Sequence, residues 1–363
     1  MVNLNLALNN LSFGFCSYHM LKELHKRGLE YNLFPIAGNM DISTFDKTTP
    51  ELAQYIQRCA AKAATSYSRK DPAFRLWHIS GSEASQSNDN YLFVFHELDS
   101  LTPLEVNILN NQTKIFVSSN YSKKVFESYG VTVPVVYIPL GFDNTHFVKT
   151  NKKYYNSDIV VWSIFGKLEH RKRHEKTIRA WLKKFGNNSN HMLHLHVYNP
   201  FLKPEQNNAA LMNILEGKRY SNINAIGYTR TLSELNENYN ASSIVLDMSG
   251  AEGWSLPSFT CVGLGKHAVI HNVTAHKEWA TDKNAVLVEP ESKIEVYDGV
   301  FFNKGGPINQ GNIFDWNEDS FIAACDKALS RYKNSPLNTE GLSIQTEFTW
   351  EKTVDKILQE ISI

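Results

Sequence analysis

The chain is poor in the features that assign a protein most quickly. No apolar run reaches the ~18 residues that a membrane-spanning helix requires. The four cysteines, Cys16, Cys59, Cys261 and Cys325, form no Cys-x-x-Cys pair. Their spacing argues against a zinc or redox motif and for buried thiols in a reducing compartment. There is no excess of either charge: Lys+Arg and Asp+Glu balance at 37 each. No global field therefore draws in nucleic acid or an anionic membrane, although a local basic groove stays open. The opening MVNLNLALNNLSFGF has neither a basic start nor a long apolar stretch, so the expectation is no signal peptide and a cytoplasmic protein. The sequons at Asn111 and Asn240 then read as accidents of an Asn-rich composition. Neither Gly-x-Gly-x-x-Gly nor Gly-x-x-x-x-Gly-Lys-Ser/Thr occurs, so neither the dinucleotide fingerprint nor the P-loop is present.

What is there is an alternation of strands and helices over 363 residues, enough for about two domains at roughly 150 residues each. VNLNLAL, YNLFPIA, YLFVFHE, TKIFVSS and VPVVYIPLG read as strands, with helices at YHMLKELHKRGLE, ELAQYIQRCAAKAATSY and NYSKKVFESYG between them. The pattern restarts at DIVVWSIFG. HMLHLHVYN, INAIGY, SIVLDMS, HAVIHNV and NAVLVEP follow as strands. HEKTIRAWLKKFG, TLSELNENYNAS, LPSFTCVGLG and EDSFIAACDKALSRYKN are helices. Such alternation predicts parallel, doubly wound sheets. Polar LGFDNTHFVKTNKKYYNSD, near residues 140–155, reads as the junction, and FFNKGGPINQGNIF as a loop. The expected organisation is a first Rossmann-like domain at 1–145, a second at 146–345, and an amphipathic terminal helix at 346–363. Ligands of two such domains bind in the cleft at the carboxyl ends of the strands.

Several residues suit that cleft. Lys167, Arg171, Lys172 and Arg173 cluster where a strand meets a helix, a good anion site because free N–H groups add to the cations. The plain alternative is a solvated charge run. Glu252 stands alone before the turn GWSLP and an apolar helix. His96 falls at the end of an apolar strand, and Gly14 lies in the first strand-to-helix turn. A strand-end His bonded to backbone and a tight turn are the alternatives there. Tyr18 and His19 open a helix, as cleft-lining residues or as ordinary surface. Trp77, Tyr91, Phe93 and Phe95 could stack on a ligand, with core the competing reading for the last three. His191, His194 and His196 share a strand with no Cys or carboxylate partner, a poor match to zinc spacing.

The run GKLEHRKRHEKTIRAW (Gly166–Trp181) resembles, without a gap, the family 4-like pattern of GT-B glycosyltransferases: Gly-Arg-Leu, then Glu-Lys-Gly and a helix. Lys167 stands for the Arg and Lys172 for the Lys. The resemblance implies that both contact a donor diphosphate, beside Gly166 and Arg171. Arg173 replaces the pattern's Gly. The stretch AEGWSLPSFTCVGLGKHAVI (Ala251–Ile270) resembles the acid followed by Gly-Phe-Gly-Leu-Pro and a second Glu eight residues on. It implies that Glu252 bonds sugar hydroxyls, and that the backbone of Gly253, Trp254, Ser255 and Leu256 faces sugar and phosphate. Thr260 stands where the family's second Glu holds the ribose. The backbone of Ile226–Tyr228, including Tyr228, is implied as the base site, and His96 as a contact to the donor sugar. The resemblance covers roughly 115–363 and is loose before that.

These likenesses imply two Rossmann-like doubly wound domains facing a central cleft, the GT-B fold. They imply retaining, metal-independent transfer of a sugar from a nucleotide-sugar, such as a UDP- or GDP-sugar, to a glycan or another hydroxyl acceptor. No further cofactor is expected. No side chain clearly suits a covalent nucleophile, so same-face attack assisted by the leaving phosphate is the expected route. Two other readings stay open: a degenerate GT-B protein that binds a sugar or partner without turnover, motivated by Thr260, and a glycosyltransferase acting on DNA bases. Zero net charge disfavours the latter, while Arg171–Arg173 and Lys123–Lys124 keep it open.

Overall fold

A computed structural model describes residues 1–155 and 158–361. The parts of the expected junction at 156–157 and of the terminal helix at 362–363 lie outside them. The chain divides into two compact units, Met1–His146 with Gly305–Gln310 and Glu347–Ile363, and Phe147–Lys304 with Gly311–Thr346. Among the described residues no helix is long and apolar enough to cross a membrane.

The first unit is built on β1 (Asn3–Leu8), β2 (Asn32–Met40), β3 (Ala73–Leu76), β4 (Asn90–Val94), β5 (Lys114–Val117) and β6 (Val135–Tyr137), in the order β2-β1-β3-β4-β5-β6. Every pairing is parallel. β1, β4 and β5 bury apolar runs such as Leu92–Val94 and Ile115–Val117, as strands covered on both faces must. β2 is an edge strand, which lets it carry Pro35 and a break in register opposite Leu6–Leu8. Helix Trp350–Ile361 packs in this unit, where Arg27 Nη2 donates to Asp355 Oδ1 at 2.5 Å and Lys114 Nζ to Glu360 Oε2 at 2.8 Å.

The second unit has β7 (Val160–Gly166), β8 (His191–Val197), β9 (Ile223–Ala225), β10 (Ile244–Asp247), β11 (His267–His271) and β12 (Val286–Val288), in the order β12-β11-β10-β7-β8-β9. This six-stranded sheet too is wholly parallel. Trp162, Trp181 and Trp316 are fully buried in its core. The chain runs outward from β7 to β8 and β9, then crosses back to β10. The strand order therefore reverses between β7 and β10, the point where such sheets leave a crevice at their carboxyl ends.

The structure corrects the sequence reading in several places. The first helix starts at Ser12 and runs to Lys26, so Gly14 lies within it. Tyr18 and His19 are buried in its second turn, 1% and 2% exposed, instead of opening it at the surface. Strand β3 and helices Pro103–Asn110 and Pro204–Ile214 are additional. The expected loop at 301–314 ends in a strand: β13 (Pro290–Glu295) and β14 (Asn312–Trp316) form an antiparallel pair.

Candidate active site

Both ends of the β7/β10 reversal carry charged residues. β7 closes on Gly166, at φ +119°, a conformation that favours glycine. A Cβ there would stand 3.3 Å from Lys172 Cε and 3.5 Å from its Nζ. The bare backbone lets the Lys172 side chain lie across the strand end. A single 3-10 turn, His170–Lys172, then leads to Arg173 at φ +54° and helix His174–Phe185. At the position where the resembled pattern has Gly, Arg173 adopts the left-handed conformation without one, at a cost of about 1 kcal/mol or more. Its guanidinium turns to Asp315 at 3.1 Å.

β10 closes on Asp247, and the loop beyond it brings Glu252 to Lys172. Lys172 Nζ donates to Glu252 Oε1, and Arg171 Nη1 lies 3.3 Å from the same oxygen. All three residues are buried. Burial pushes the Glu252 carboxyl up, but Lys172 and Arg171 outweigh it and hold the group at about 2. Arg171 also donates to the Ala251 carbonyl and, at 2.7 Å, to Glu169 Oε1. Its fork thus ties the basic turn to the acidic loop. Burial raises Glu169 too, and Arg171, Lys167 and Lys172 bring it below its ordinary value.

The basic run is therefore three different things. Lys172 and Arg171 are paired and buried, and Arg173 faces Asp315. Lys167 is 36% exposed, lies 3.6 Å from Glu169, and sits over the Phe301 and Phe201 rings at 4.8 and 5.5 Å.

The loop's far end is held from below. Ser255 is left-handed at φ +67° and precedes helix Leu256–Gly263. Asp247 Oδ2 accepts from the hydroxyls of Ser255 and Ser258, the latter at 2.7 Å, and Oδ1 accepts from Ser249 Oγ at 2.7 Å. Glu252 N donates to Thr274 Oγ1 at 2.8 Å, and Trp279 Nε1 to the Trp254 carbonyl at 2.9 Å. Gly253, Trp254, Ser255 and Thr260 are buried, and Leu256 is half-buried. Asp247, Glu169 and His276 belong to this constellation and were passed over in the sequence. The signal for Asp247 was there: an acid closing an apolar strand, with serines two, eight and eleven residues on.

The remaining candidates stand elsewhere. Tyr228, 48% exposed, lies three residues beyond β9, its ring 6.0 Å from that of Tyr198. In the first unit, His96 is buried two residues past β4. Burial holds its ring neutral, near 4, against the pull of Glu105, and its Nε2 has no hydrogen-bond partner among the described residues. Gly14 packs on the end of β1, where a Cβ would meet Asn9 O at 1.9 Å. The glycine thus lies in the helix, not in the turn before it, and lets the two backbones approach. Phe13 stacks on Phe95 at 4.9 Å and meets Trp77 at 5.3 Å, while Phe93 is core. Among the described residues no group of three or more His, Cys, Asp or Glu could hold a metal ion.

No protein-family model matches the sequence, and no curated protein is significantly similar to it. Solved structures match over the whole chain. The sucrose-phosphate synthase of Thermosynechococcus elongatus is 12% identical over 99% of this chain and 98% of its own, with a TM-score of 0.68. Anabaena HepE, in complex with UDP and glucose, is 14% identical over 100% and 99%, with a TM-score of 0.65. Trehalose-6-phosphate synthase OtsA is 10% identical over 99% and 98%, with a TM-score of 0.68. The E. coli structure bound with UDP-2-fluoro glucose gives the same values. At these identities the likeness shows the fold, two Rossmann-like domains of the GT-B type.

Proposed function

We propose that the chain moves a sugar from a nucleotide-sugar to an acceptor hydroxyl with retention at the sugar carbon. One observation carries this reading: Lys172 and Glu252 meet, buried, at the carboxyl ends of β7 and β10, where the strand order reverses. In support, two structures of the same fold hold UDP and glucose or a UDP-fluoroglucose.

In the proposed reaction Lys172 leaves Glu252 for the donor diphosphate, and Lys167 adds a second cation. Glu252, freed from Lys172, accepts hydrogen bonds from sugar hydroxyls. The bond from the anomeric carbon to the phosphate oxygen breaks as that from the acceptor oxygen forms on the same face. The acceptor's proton passes to the departing phosphate, and a nucleoside diphosphate is released. Cations fixed where negative charge develops supply the largest catalytic contribution.

The test is Lys172→Ala, assayed for nucleotide release from a panel of nucleotide-sugars, with folding followed by melting temperature. A folded variant should lose about a hundredfold or more. A loss under about tenfold, roughly 1.4 kcal/mol, removes the phosphate assignment. Thr260 favours a second reading, a sugar-binding protein without turnover. Calorimetric donor binding with no release to any acceptor selects it.

A further inference from the structure

His276 is fully buried beneath the Glu252 loop, and both its ring nitrogens face acceptors. Nδ1 lies 2.8 Å from the His271 carbonyl and Nε2 lies 3.1 Å from Asp247 Oδ2. An imidazole can satisfy two acceptors only when both nitrogens carry hydrogen, which makes it an imidazolium. Asp247 is a suitable counter-charge. Besides His276 it accepts from the Ser249 amide and from the hydroxyls of Ser249, Ser255 and Ser258. The neighbouring His271 is the contrast. Its Nδ1 meets the Ser249 carbonyl at 2.9 Å, its Nε2 has no partner among the described residues, and burial holds it neutral near 4.

The segment that carries His276 also grips the proposed sugar-binding acid. Thr274 Oγ1 accepts from Glu252 N at 2.8 Å, and Ala275 N donates to Glu252 O at 3.3 Å. Thus β10 holds His276 through Asp247, and the turn Thr274–Glu278 holds Glu252 on both sides of its peptide. We infer that the Asp247–His276 ion pair is the positioning device of the donor site, fixing Glu252 for its ligand, so that donor affinity requires a protonated His276. The inference rests on the donor reading above.

The charged and titratable groups around the pair fix the sign. Asp247 and Glu252 favour the charged ring, burial opposes them, Lys172 acts on Asp247, and His271 stays neutral. The balance raises His276 above its ordinary 6.5. The contribution of the pair is complete below 6.5 and lost as pH climbs through the raised value.

Calorimetric titration of UDP-glucose, which carries sugar hydroxyls for Glu252, into the full chain, wild type and His276→Gln, between pH 6.5 and 9.5 tests this. Gln still offers a donor to Asp247 but no charge. Wild-type affinity should fall at least tenfold with rising pH. His276→Gln should start about tenfold weaker at pH 6.5 and fall no further than the ionisation of the uracil alone dictates. The inference is overturned if His276→Gln binds like wild type at pH 6.5, or if both proteins lose affinity in parallel. Should the variant fail to fold, nitrogen-15 spectra of wild-type histidines decide: the alkaline loss of the second His276 N–H must share the midpoint of the UDP-glucose affinity, and a ring already neutral at pH 6.5 sinks the idea. Wild type that binds neither UDP nor GDP at any pH overturns the donor reading itself, and the inference with it.

Discussion

Both sheets are six-stranded and parallel, and they differ in strand order and in what their carboxyl ends present. In the second unit, β7 and β10 end in paired charges: Lys172 and Arg171 on Glu252, Arg171 on Glu169, His276 on Asp247. In the first, the residues past β3 and β4 are rings, with Trp77 and Phe95 around Phe13 and a neutral His96. The fold fixes where a site lies, and side chains fix what it holds. Under the proposed function the end in the second unit receives the charged donor, while that in the first keeps the half-buried rings of Trp77 and Phe95 beside a buried Phe13.

The comparison can be broken most severely at Glu252. Glu252→Ala leaves Lys172 and Arg171 buried without their shared partner, and should lower unfolding free energy by about 3–5 kcal/mol in urea titration. Loss under about 1 kcal/mol would mean that the pair is solvated. Acid offers the same test without mutation. The carboxyl sits near 2 in the fold, against an ordinary 4.5. Its contribution, about 3 kcal/mol, is complete above 4.5 and should drain away as pH falls toward 2. Next comes the first unit. Gly14→Ala forces a methyl onto the Asn9 carbonyl and should cost about 1–3 kcal/mol. It would do so with no change in nucleotide affinity, if the glycine serves packing alone. The smallest effect is expected at Thr260→Val. The exchange removes one buried hydroxyl and keeps the side chain's branched shape, so stability should move by about 1 kcal/mol or less. A several-fold loss of UDP affinity would then come from the ligand contact alone.

Much of this was legible in advance, for physical reasons. Apolar runs such as VVWSIF and IVLD have one use in a doubly wound protein, and both lie in parallel strands. Short elements were lost. β3 is four residues with an arginine in it, too brief to show a period. Helix Pro103–Asn110 carried a readable signal in Thr102-Pro-Leu-Glu105, a capping box with proline in its first turn. Within the site, the sequence offers Lys172 and Glu252 as separate motifs eighty residues apart. That they neutralise one another depends on the reversal between β7 and β10, which no local pattern encodes. The supporting pair was hidden for the same reason: Asp247 and His276 are 29 residues apart and meet only because β10 and β11 lie side by side.

The Lys172–Glu252 contact has a consequence for selectivity among anions. A lysine that already has a carboxylate partner gains little by exchanging it for free phosphate or sulfate, since the exchange leaves the buried Glu252 with Arg171 alone, 3.3 Å away. A molecule carrying both a phosphate and hydroxyl groups satisfies the two residues at once. Under the proposed function the pairing is a filter: abundant inorganic anions are turned away, and a ligand that joins the two chemistries in one frame is worth opening for.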